Sequence, residues 1–328
     1  MSRAAVLEAT GSALPPRVVT NAMLAERLDT SDEWIRSRTG IRTRHQVDPG
    51  TTTSDLAVEA GRCALARAAG PVDMLILATT TPDHPCPGTA PEVAARLGLG
   101  PIAAFDVSAV CSGFVYALAS AAGAIAAGMA GRVLVIGAET FSLILDPADR
   151  TTSVIFGDGA GAFVLRAGQD GEPGMFTGFD LGSDGTLQDL IMIPGGGARE
   201  RSGGAGGPYF TMRGKDVFAN AVTRMADSAR AVLKDAGWAA GSVDWFIGHQ
   251  ANSRILYAVA GLLGVDRDRV VLNLDRVGNT SAASIPLAVA DALAANRLKP
   301  GDRVLMSAFG GGLTWGSTAL VWPTTPTR

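Results

Sequence analysis

Short apolar runs alternate with longer, alanine-rich or amphipathic stretches along the chain. Apolar runs bounded by turn residues are typical of buried strands, and apolar positions that repeat every three to four residues are typical of helices. The pattern predicts strands at 74–78, 102–107, 133–137, 245–248, 270–274 and 304–308, and helices near 217–235 and 284–296. This alternation predicts an α/β fold with helices covering both faces of the sheets.

The second half of the chain repeats the scheme of the first. The segment CSGFVYALASAAGAIAAGMAGRVLVIG, from Cys111, aligns with TSAASIPLAVADALAANRLKPGDRVLMSA, from Thr280. Each has a small-residue turn, an alanine-rich helix and an RVL strand, and small side chains allow such helices to pack closely between two sheets. We therefore predict two similar halves, 1–170 and 171–328, with the active site between them.

Residues 107–131 carry no charge and are long enough to cross a bilayer. Alanine and glycine dominate this stretch, and Cys111, Ser112 and Gly113 interrupt it near its start. This composition favours a helix buried in a core and predicts no membrane span. A second unusual stretch, PGGGARERSGGAGGP at 194–208, predicts a surface loop that is either a plain connector or a lid over a substrate entrance.

Charge and cysteine content exclude several classes of protein. The 328 residues carry a net charge of −3 with no long Lys/Arg run, which argues against a nucleic-acid partner. The three cysteines form no CxxC pair and no disulfide framework, which favours a reducing, cytoplasmic environment. Arg3, Glu8 and Arg17 interrupt the first twenty residues, so no secretory signal is expected there.

Cys111 is the first candidate for chemistry. A free cysteine is most often a small buried hydrophobe. Cys111, however, follows the predicted strand at 102–107 and precedes a helix. Unpaired N–H groups and the helix dipole at that position favour a thiolate, which suits a nucleophile.

Two further candidates lie in the second half. His249 follows the predicted strand at 245–248, and Asn279 precedes the helix near 284–296. The plainer interpretations are a histidine bonded to a backbone carbonyl and an asparagine that caps a helix. The functional interpretation is a pair of neutral donors for a thioester oxygen that gains enolate charge.

These candidates lie in motifs that resemble the β-ketoacyl-ACP synthase III family. Cys111 in AVCSGF, His249 in HQANSRI and Asn279 in GNTSAAS are similar to its Cys/His/Asn triad. Three more segments resemble it in the same order: TSDEWIRSRTGIRTRH from Thr30, DPADRTTSVIFGDGAGAFVL from Asp146 and AFGGGLTWG from Ala308. The resemblance covers nearly the whole chain. It implies a thiolase fold, two βαβαβαββ halves in a five-layered αβαβα sandwich, and a homodimer.

The resemblance also implies substrates and roles. Cys111 takes an acyl group from acyl-CoA in a ping-pong reaction, and His249 and Asn279 stabilise the enolate formed when a malonyl thioester of acyl carrier protein loses CO2. No metal or redox cofactor is implied.

The resemblance assigns further residues to binding roles. The Cys111 and Gly311 N–H groups form the oxyanion hole, Cys86 and Phe309 line the acyl pocket, and Arg254 contacts the carrier protein. The residues implied to bind CoA are Thr30, Trp34, Arg38, Arg150, Phe218 and Asn252. The plainer interpretations are a core anchor for Trp34 and, for Arg150, an ion pair with Asp149 or Asp146.

The chain departs from the family pattern at two places. Cys86 stands where members that prefer acetyl primers have a bulky Phe, which predicts tolerance of longer or branched primers unless neighbours refill the space. Ala219, Gly261 and Leu262 replace lysines of the carrier-docking face, which predicts weaker attraction to an acidic carrier unless Lys215, Arg213 and Arg224 compensate.

Other functions remain open at this point. An acyltransferase that moves the acyl group without condensation needs the same Cys and His, whereas a non-catalytic partner subunit usually lacks the nucleophile. A thiolase needs a second catalytic cysteine, and 307–316 contains none. A cysteine hydrolase would leave the shared order of motifs unexplained.

Overall fold

The computed structural model describes residues 3–324, and two sheets organise them. The first has five strands in the order β1-β7-β6-β4-β5, and the second has four in the order β11-β12-β13-β8. Two small hairpins, β2-β3 and β9-β10, accompany them. The strands are β1 Ala4–Ala13, β2 Arg17–Thr20, β3 Thr43–Gln46, β4 Met74–Ala78, β5 Ala103–Val107, β6 Arg132–Glu139, β7 Gly159–Gly168, β8 Phe176–Ser183, β9 Ile191–Met192, β10 Thr211–Met212, β11 Trp245–Gly248, β12 Arg303–Gly310 and β13 Thr314–Val321.

The helices vary from single turns to 22 residues. The α-helices are α1 Asn21–Ala25, α2 Asp32–Thr39, α3 Thr53–Leu65, α4 Ala90–Arg96, α5 Gly113–Ala126, α6 Ala198–Arg201, α7 Gly214–Asp235, α8 Ser253–Leu263, α9 Leu274–Val277 and α10 Ser284–Ala294. Short 3-10 helices lie at Val110–Ser112, Phe141–Ile144, Gly185–Leu190, Ala240–Ser242, Arg267–Arg269 and Ser281–Ala283.

Three apolar clusters stack these elements into five layers. In the outermost cluster of the first half, α3 and α4 cover one face of the first sheet. The central cluster joins the other face of that sheet, through α5 and α10, to the second sheet. The third cluster packs α7 and α8 on the far face of the second sheet. The order is helix, sheet, helix, sheet, helix, which confirms the predicted αβαβα sandwich.

The helices of the central layer are rich in alanine. Ala117, Ala121, Ala288 and Ala292 are almost completely buried there. Their small side chains let α5 and α10 pack closely against strands of both sheets, as the sequence predicted. The first sheet ends with β7 at Gly168 and the second begins with β8 at Phe176, so the predicted division after residue 170 falls between these strands.

The repeat is real, but its register differs from the sequence alignment by two residues. A 3-10 turn precedes α5 at Val110–Ser112 and α10 at Ser281–Ala283. Val110 and Ser281 each open their turn with a φ of 47°. Cys111 therefore corresponds to Ala282, whereas the alignment paired it with Thr280.

One predicted strand, at 270–274, is wrong. Val270 forms only an isolated parallel bridge with Phe246, and Leu274 begins α9. The Gln250 side chain lies against this segment, donating to Val271 O at 3.1 Å and accepting from Asn273 N at 3.1 Å. The Gln250 side chain thus bonds the backbone groups that a neighbouring strand would use, so the bridge between Val270 and Phe246 does not extend into a strand.

The uncharged stretch 107–131 contains α5, which runs through the buried central layer as predicted. Between residues 3 and 324, no helix combines the length and apolar composition needed to cross a membrane. The glycine-rich segment 194–208 is exposed along its length apart from Pro194 and Gly195, and it carries the single-turn helix α6. It is therefore a surface segment, as predicted.

Candidate active site

The turn that carries Cys111 lies between β5 and α5 and contacts the end of β12. A Cβ on Gly310 would lie 2.7 Å from Cys111 N and 2.9 Å from Ser112 N, so only glycine permits this approach. The Ser112 and Thr314 hydroxyls share a hydrogen bond of 2.7 Å. The turn is therefore fixed to the second half by backbone packing and by a hydroxyl pair.

The Cys111 thiol is buried and protonated at rest. Burial raises its pKa to about 12, the nearby Ser281 hydroxyl opposes this rise, and the charge on Glu139 adds to it. The position of Cys111 at a helix N-terminus predicts a stabilised thiolate. In the structure burial outweighs that effect, because an uncompensated thiolate is poorly solvated there.

His249 follows β11 and is 3% exposed. Its backbone N–H donates to Ser307 O at 2.8 Å, which fixes the backbone at the end of β11. The ring nitrogen Nδ1 lies 2.7 Å from Ser284 Oγ. Burial lowers the pKa of His249 to about 3, so the imidazole is neutral near pH 7. The bonded partner is the hydroxyl of Ser284 at the start of α10, so the plainer interpretation, a ring bonded to a backbone carbonyl, is wrong.

Asn279 is held by its backbone on both sides. Its N–H donates to Ile155 O, its carbonyl accepts from Gly157 N, and both bonds measure 3.0 Å. The side-chain Oδ1 accepts from Ser281 N at 2.9 Å. Because the oxygen is used in this way, the Nδ2 group is left to donate elsewhere. Capping a turn and donating to a substrate are thus compatible roles for one side chain.

The segment 279–284 brings the three candidates together. Asn279 begins it, the Ser281 hydroxyl lies against the Cys111 thiol, and Ser284 bonds His249. One short segment therefore contacts the thiol and the imidazole and carries the carboxamide, although the three residues are distant in the sequence. Neutral donors beside a nucleophile can stabilise an oxyanion without repelling it.

A cavity of about 590 Å³ extends from Asn279 towards the surface. Trp34, Arg38, Phe218 and Asn252, four of the six residues predicted to bind CoA, line it, and so does Arg254. Cys111 and His249 do not line this cavity.

The helices that carry the cavity residues have well-defined ends. The Ser31 hydroxyl accepts from Trp34 N to begin α2, and Asn252 Oδ1 accepts from Ile255 N to begin α8. Gly40 and Gly264 end these helices in left-handed conformations. These ends fix where Trp34 and Asn252 stand at the cavity.

Two arginines lie over the Trp34 ring. The Arg38 guanidinium carbon is 4.7 Å from the ring centroid, and that of Arg150 is 5.5 Å away. Arg150 also forms an ion pair with Asp29 at 3.0 Å, so the plainer interpretation, a pair with Asp146 or Asp149, is wrong. Thr30 lies beside this cluster in sequence, and its buried hydroxyl makes no hydrogen bond within residues 3–324.

The remaining predicted positions lie in different surroundings. Phe309 is buried in β12, one residue before Gly310. Gly311 packs against Ile191, with a Cβ position 3.0 Å from Ile191 O. Cys86 is exposed on the loop between β4 and α4, outside the cavity. Arg254, Ala219, Gly261 and Leu262 are all exposed on α7 and α8.

Sequence reasoning missed Ser281, Ser284, Gly310's contact with Cys111, and Glu139. Ser281 and Ser284 lie inside the GNTSAAS motif, but a motif does not show which hydroxyl meets which ring. A correct register for the repeat would have placed Ser281 opposite Val110, beside the nucleophile turn. Glu139 is the last residue of β6, and its counterpart in the repeat is Gly310, the last residue of β12.

Two family models match the chain. Residues 105–185 match "3-Oxoacyl-[acyl-carrier-protein (ACP)] synthase III", and residues 233–322 match the C-terminal model of the same family. Together these matches cover more than half of the chain, and they contain Cys111, His249 and Asn279.

Whole-chain relatives agree with these matches. Beta-ketoacyl-[acyl-carrier-protein] synthase III 5 of Streptomyces coelicolor is 65% identical over 329 residues, covering 98% of each chain. The crystal structure of 3-oxoacyl-(acyl carrier protein) synthase III from Pseudomonas aeruginosa PAO1 is similar with a TM-score of 0.94 at 52% identity, covering 99% of this chain and 100% of that one. The priming β-ketosynthase of the R1128 polyketide pathway is similar with a TM-score of 0.91 at 34% identity, covering 99% and 98%.

Proposed function

Because the chain belongs to the 3-oxoacyl-[acyl-carrier-protein] synthase III family, we propose that it condenses an acyl-CoA primer with malonyl-ACP, the first condensation of fatty-acid or polyketide synthesis. The observation that carries the proposal is the segment 279–284, which contacts the Cys111 thiol and the His249 ring and includes Asn279.

The first half-reaction loads the enzyme. The Cys111 sulfur attacks the thioester carbonyl, its proton ends on the departing CoA sulfur, and an acyl thioester remains on the protein. The N–H groups of Cys111 and Gly311 are the proposed donors to the tetrahedral oxyanion. No resident cofactor is needed, because the thiol and these donors supply the chemistry.

The second half-reaction forms the carbon–carbon bond. The malonyl carboxylate leaves as CO2, and the resulting enolate attacks the acyl carbonyl and releases Cys111, which takes a proton from solvent. With the Ser284 hydroxyl donating to Nδ1 of His249, the ring carries its proton on Nε2 and donates to the enolate oxygen. Asn279 Nδ2 is the second donor. Losing one such donor typically costs about 2.7 to 4 kcal/mol of barrier.

The cavity gives the CoA nucleotide a place to bind. Trp34 offers a flat ring with Arg38 and Arg150 over it, and an adenine stacks well between an indole and a guanidinium. Phe218 and Asn252 line the path towards Asn279. Arg254 at the rim is the proposed carrier contact, with Lys215 beside it.

The covalent step is tested by mass spectrometry of intact protein after incubation with a panel of acyl-CoAs. We expect one acyl group per chain on the wild type and none on Cys111→Ala. Cys63→Ala is the matched control, since Cys63 is an exposed free thiol far in sequence from the site, and it should label like the wild type. Labelling of Cys111→Ala at the wild-type level would refute the proposed nucleophile.

CO2 release distinguishes condensation from simple acyl transfer. With malonyl-ACP as acceptor, acyl-loaded protein should release one CO2 per acyl group consumed. Transfer of the acyl group to an alcohol or amine with no CO2 would instead assign a non-condensing acyltransferase.

The proposal includes a homodimer in the cytoplasm. Strand β5 is an edge strand of the first sheet, and Phe105 on it is 42% exposed. A second copy is a suitable cover for an exposed edge with an aromatic side chain. Cys63 and Cys86 are exposed free thiols, which suits a reducing compartment. Sedimentation of the purified protein tests the dimer, and a monomer at micromolar concentration would contradict it.

A further inference from the structure

A buried carboxylate lies behind the catalytic centre and has no part in the reaction described above. Glu139 ends β6 and is fully buried. It accepts hydrogen bonds from Thr80 N, Thr80 Oγ1 and Thr81 Oγ1, each at 3.0 Å, and from Ala282 N at 3.3 Å. A buried charge is costly without partners, and four donors from two halves of the chain form a site built to hold this one.

The internal repeat shows what this carboxylate replaces. Strands β6 and β12 each have eight residues, and the last of them are Glu139 and Gly310. In the same register Ala282 corresponds to Cys111. Gly310 has no side chain, so only its backbone lies against the peptide N of Cys111, whereas the side chain of Glu139 accepts from the peptide N–H of Ala282. Glu139 therefore fills the counterpart of the proposed oxyanion hole.

The bond to Ala282 acts on the segment that joins the catalytic groups. Ala282 lies between Ser281, whose hydroxyl contacts both Cys111 and Glu139, and Ser284, which bonds His249. The Ser281 hydroxyl makes no hydrogen bond of regular geometry within residues 3–324, so it does not hold the turn itself. The φ of 47° at Ser281 is unfavourable for a residue with a side chain, and it needs outside support.

We propose that Glu139 is a positioning residue: its carboxylate occupies the second half's counterpart of the oxyanion hole and thereby fixes the segment 279–284 against Cys111. This inference deepens the proposed function and rests on Cys111 being the nucleophile. Its main test reads the thiol directly and does not require condensation, so the two can fail separately.

The charge on Glu139 provides a signature that a purely structural role lacks. Burial raises its pKa to about 7, and its ionised form raises the pKa of the Cys111 thiol. The groups that face it are the Thr80 and Thr81 hydroxyls, the Ser281 hydroxyl, peptide N–H groups and the Cys111 thiol, and Gly159 pairs with it in β7. Of these facing groups, the thiol is the one titratable side chain. The influence of Glu139 on Cys111 should therefore appear as pH rises through 7.

The experiment measures alkylation of Cys111 by iodoacetamide from pH 6 to 9, resolved by peptide so that Cys63 and Cys86 are internal references. Glu139→Gln keeps the size and an acceptor oxygen but removes the charge. The rate ratio of this variant to wild type should be near one at pH 6 and rise to about three- to tenfold at pH 8.5, because a pKa lower by half a unit to one unit gives that much more thiolate.

Asp158→Asn is the matched control. Asp158 is another fully buried carboxylate, with a pKa that burial raises, but it bonds Ser142 and Val47 and does not act on the thiol. Its alkylation ratio should not change with pH. A flat ratio for Glu139→Gln, or one that rises equally for Asp158→Asn, would overturn the inference.

A second measurement tests positioning. Glu139→Ala leaves the Ala282 N–H unpaired, so the kcat of malonyl-ACP decarboxylation should fall about tenfold with KM unchanged. Glu139→Gln, which keeps an acceptor, should recover most of this loss. If Glu139→Gln is as slow as Glu139→Ala, the positioning role is wrong. If Glu139→Ala does not fold, the alkylation of Glu139→Gln still decides the matter.

Discussion

The catalytic centre and the mouth of the cavity are built in opposite ways. Cys111, His249 and Asn279 are at most 8% exposed, and hydrogen bonds and close packing of backbone fix the elements that carry them. At the mouth, Arg38 and Arg150 are exposed, and the Arg150–Asp29 pair lies in solvent, where such pairs contribute about 0 to 1 kcal/mol. Under the proposed function, the chemistry depends on fixed groups and CoA binding depends on adaptable ones, so substitutions should divide in the same way.

The largest effect should come from the amide donor of the centre. Asn279→Asp keeps the oxygen that accepts from Ser281 N but replaces the donor by an acceptor. Decarboxylation of malonyl-ACP should fall about 10²- to 10³-fold, because one oxyanion donor is lost and a negative charge replaces it. Acyl transfer from acyl-CoA to Cys111, followed by mass spectrometry, should persist.

Asn279→Ala is the companion variant for that test. It removes both the donor and the acceptor, so any cost of releasing the Ser281 turn is added to the loss of the donor. An unchanged decarboxylation rate in either variant would contradict the role of Asn279, and a loss of acyl transfer in both would show that Asn279 acts on the first half-reaction instead.

The sequence predicts the three central residues because their motifs are short and contiguous. It does not predict the contacts around them, because these depend on tertiary packing. Ser281 has a positive φ in a turn where its hydroxyl contacts Cys111 and Glu139. The composition of 270–274 favours a strand, but the Gln250 side chain bonds the backbone there instead. The sequence alignment of the repeat pairs Cys111 with Thr280 because the flanking residues are similar, whereas the backbone turns pair Cys111 with Ala282.

The second effect concerns acid stability at the centre. The pKa of His249 is lowered to about 3, so the folded protein stays unprotonated there while the unfolded chain takes up a proton below about 6.5. Stability should therefore fall as pH falls from 6.5 towards 3, by about 1.4 kcal/mol per pH unit from this group. His249→Asn should lack this pH-dependent contribution to stability.

Urea unfolding of wild type and His249→Asn at pH 7, 6 and 5 measures the difference. At pH 5 the wild type should have lost about 2 kcal/mol more than the variant, relative to pH 7. Glu139, whose pKa burial raises to about 7, changes stability in the opposite direction over this range, but it is present in both proteins. Parallel pH profiles would show that His249 is protonated in the folded protein.

A smaller effect is expected at the mouth. Trp34→Ala removes the ring that Arg38 and Arg150 cover, and the KM for acyl-CoA should rise about fivefold with kcat unchanged, since exposed stacking is worth about 1 kcal/mol. Trp238→Ala is the matched control, because Trp238 has a similar contact with Arg303 away from the cavity and should leave KM as it is. A fall in kcat would place Trp34 in the chemistry and not in binding.

The smallest effect is expected at Cys86, which in the single chain lies neither at the catalytic centre nor at the mouth of the cavity. Cys86 is exposed, so it lines an acyl pocket only if a second subunit covers its loop. Under the dimer proposal, Cys86→Phe should narrow the pocket and shift primer preference towards acetyl-CoA by a few fold, because overpacking costs longer chains about 1 kcal/mol at the low end of its usual range. Relative kcat/KM values for acetyl-, butyryl- and branched acyl-CoA measure the shift. The same primer profile in wild type and variant would remove Cys86 from the pocket, and strict acetyl preference in the wild type would refute the predicted tolerance of larger primers.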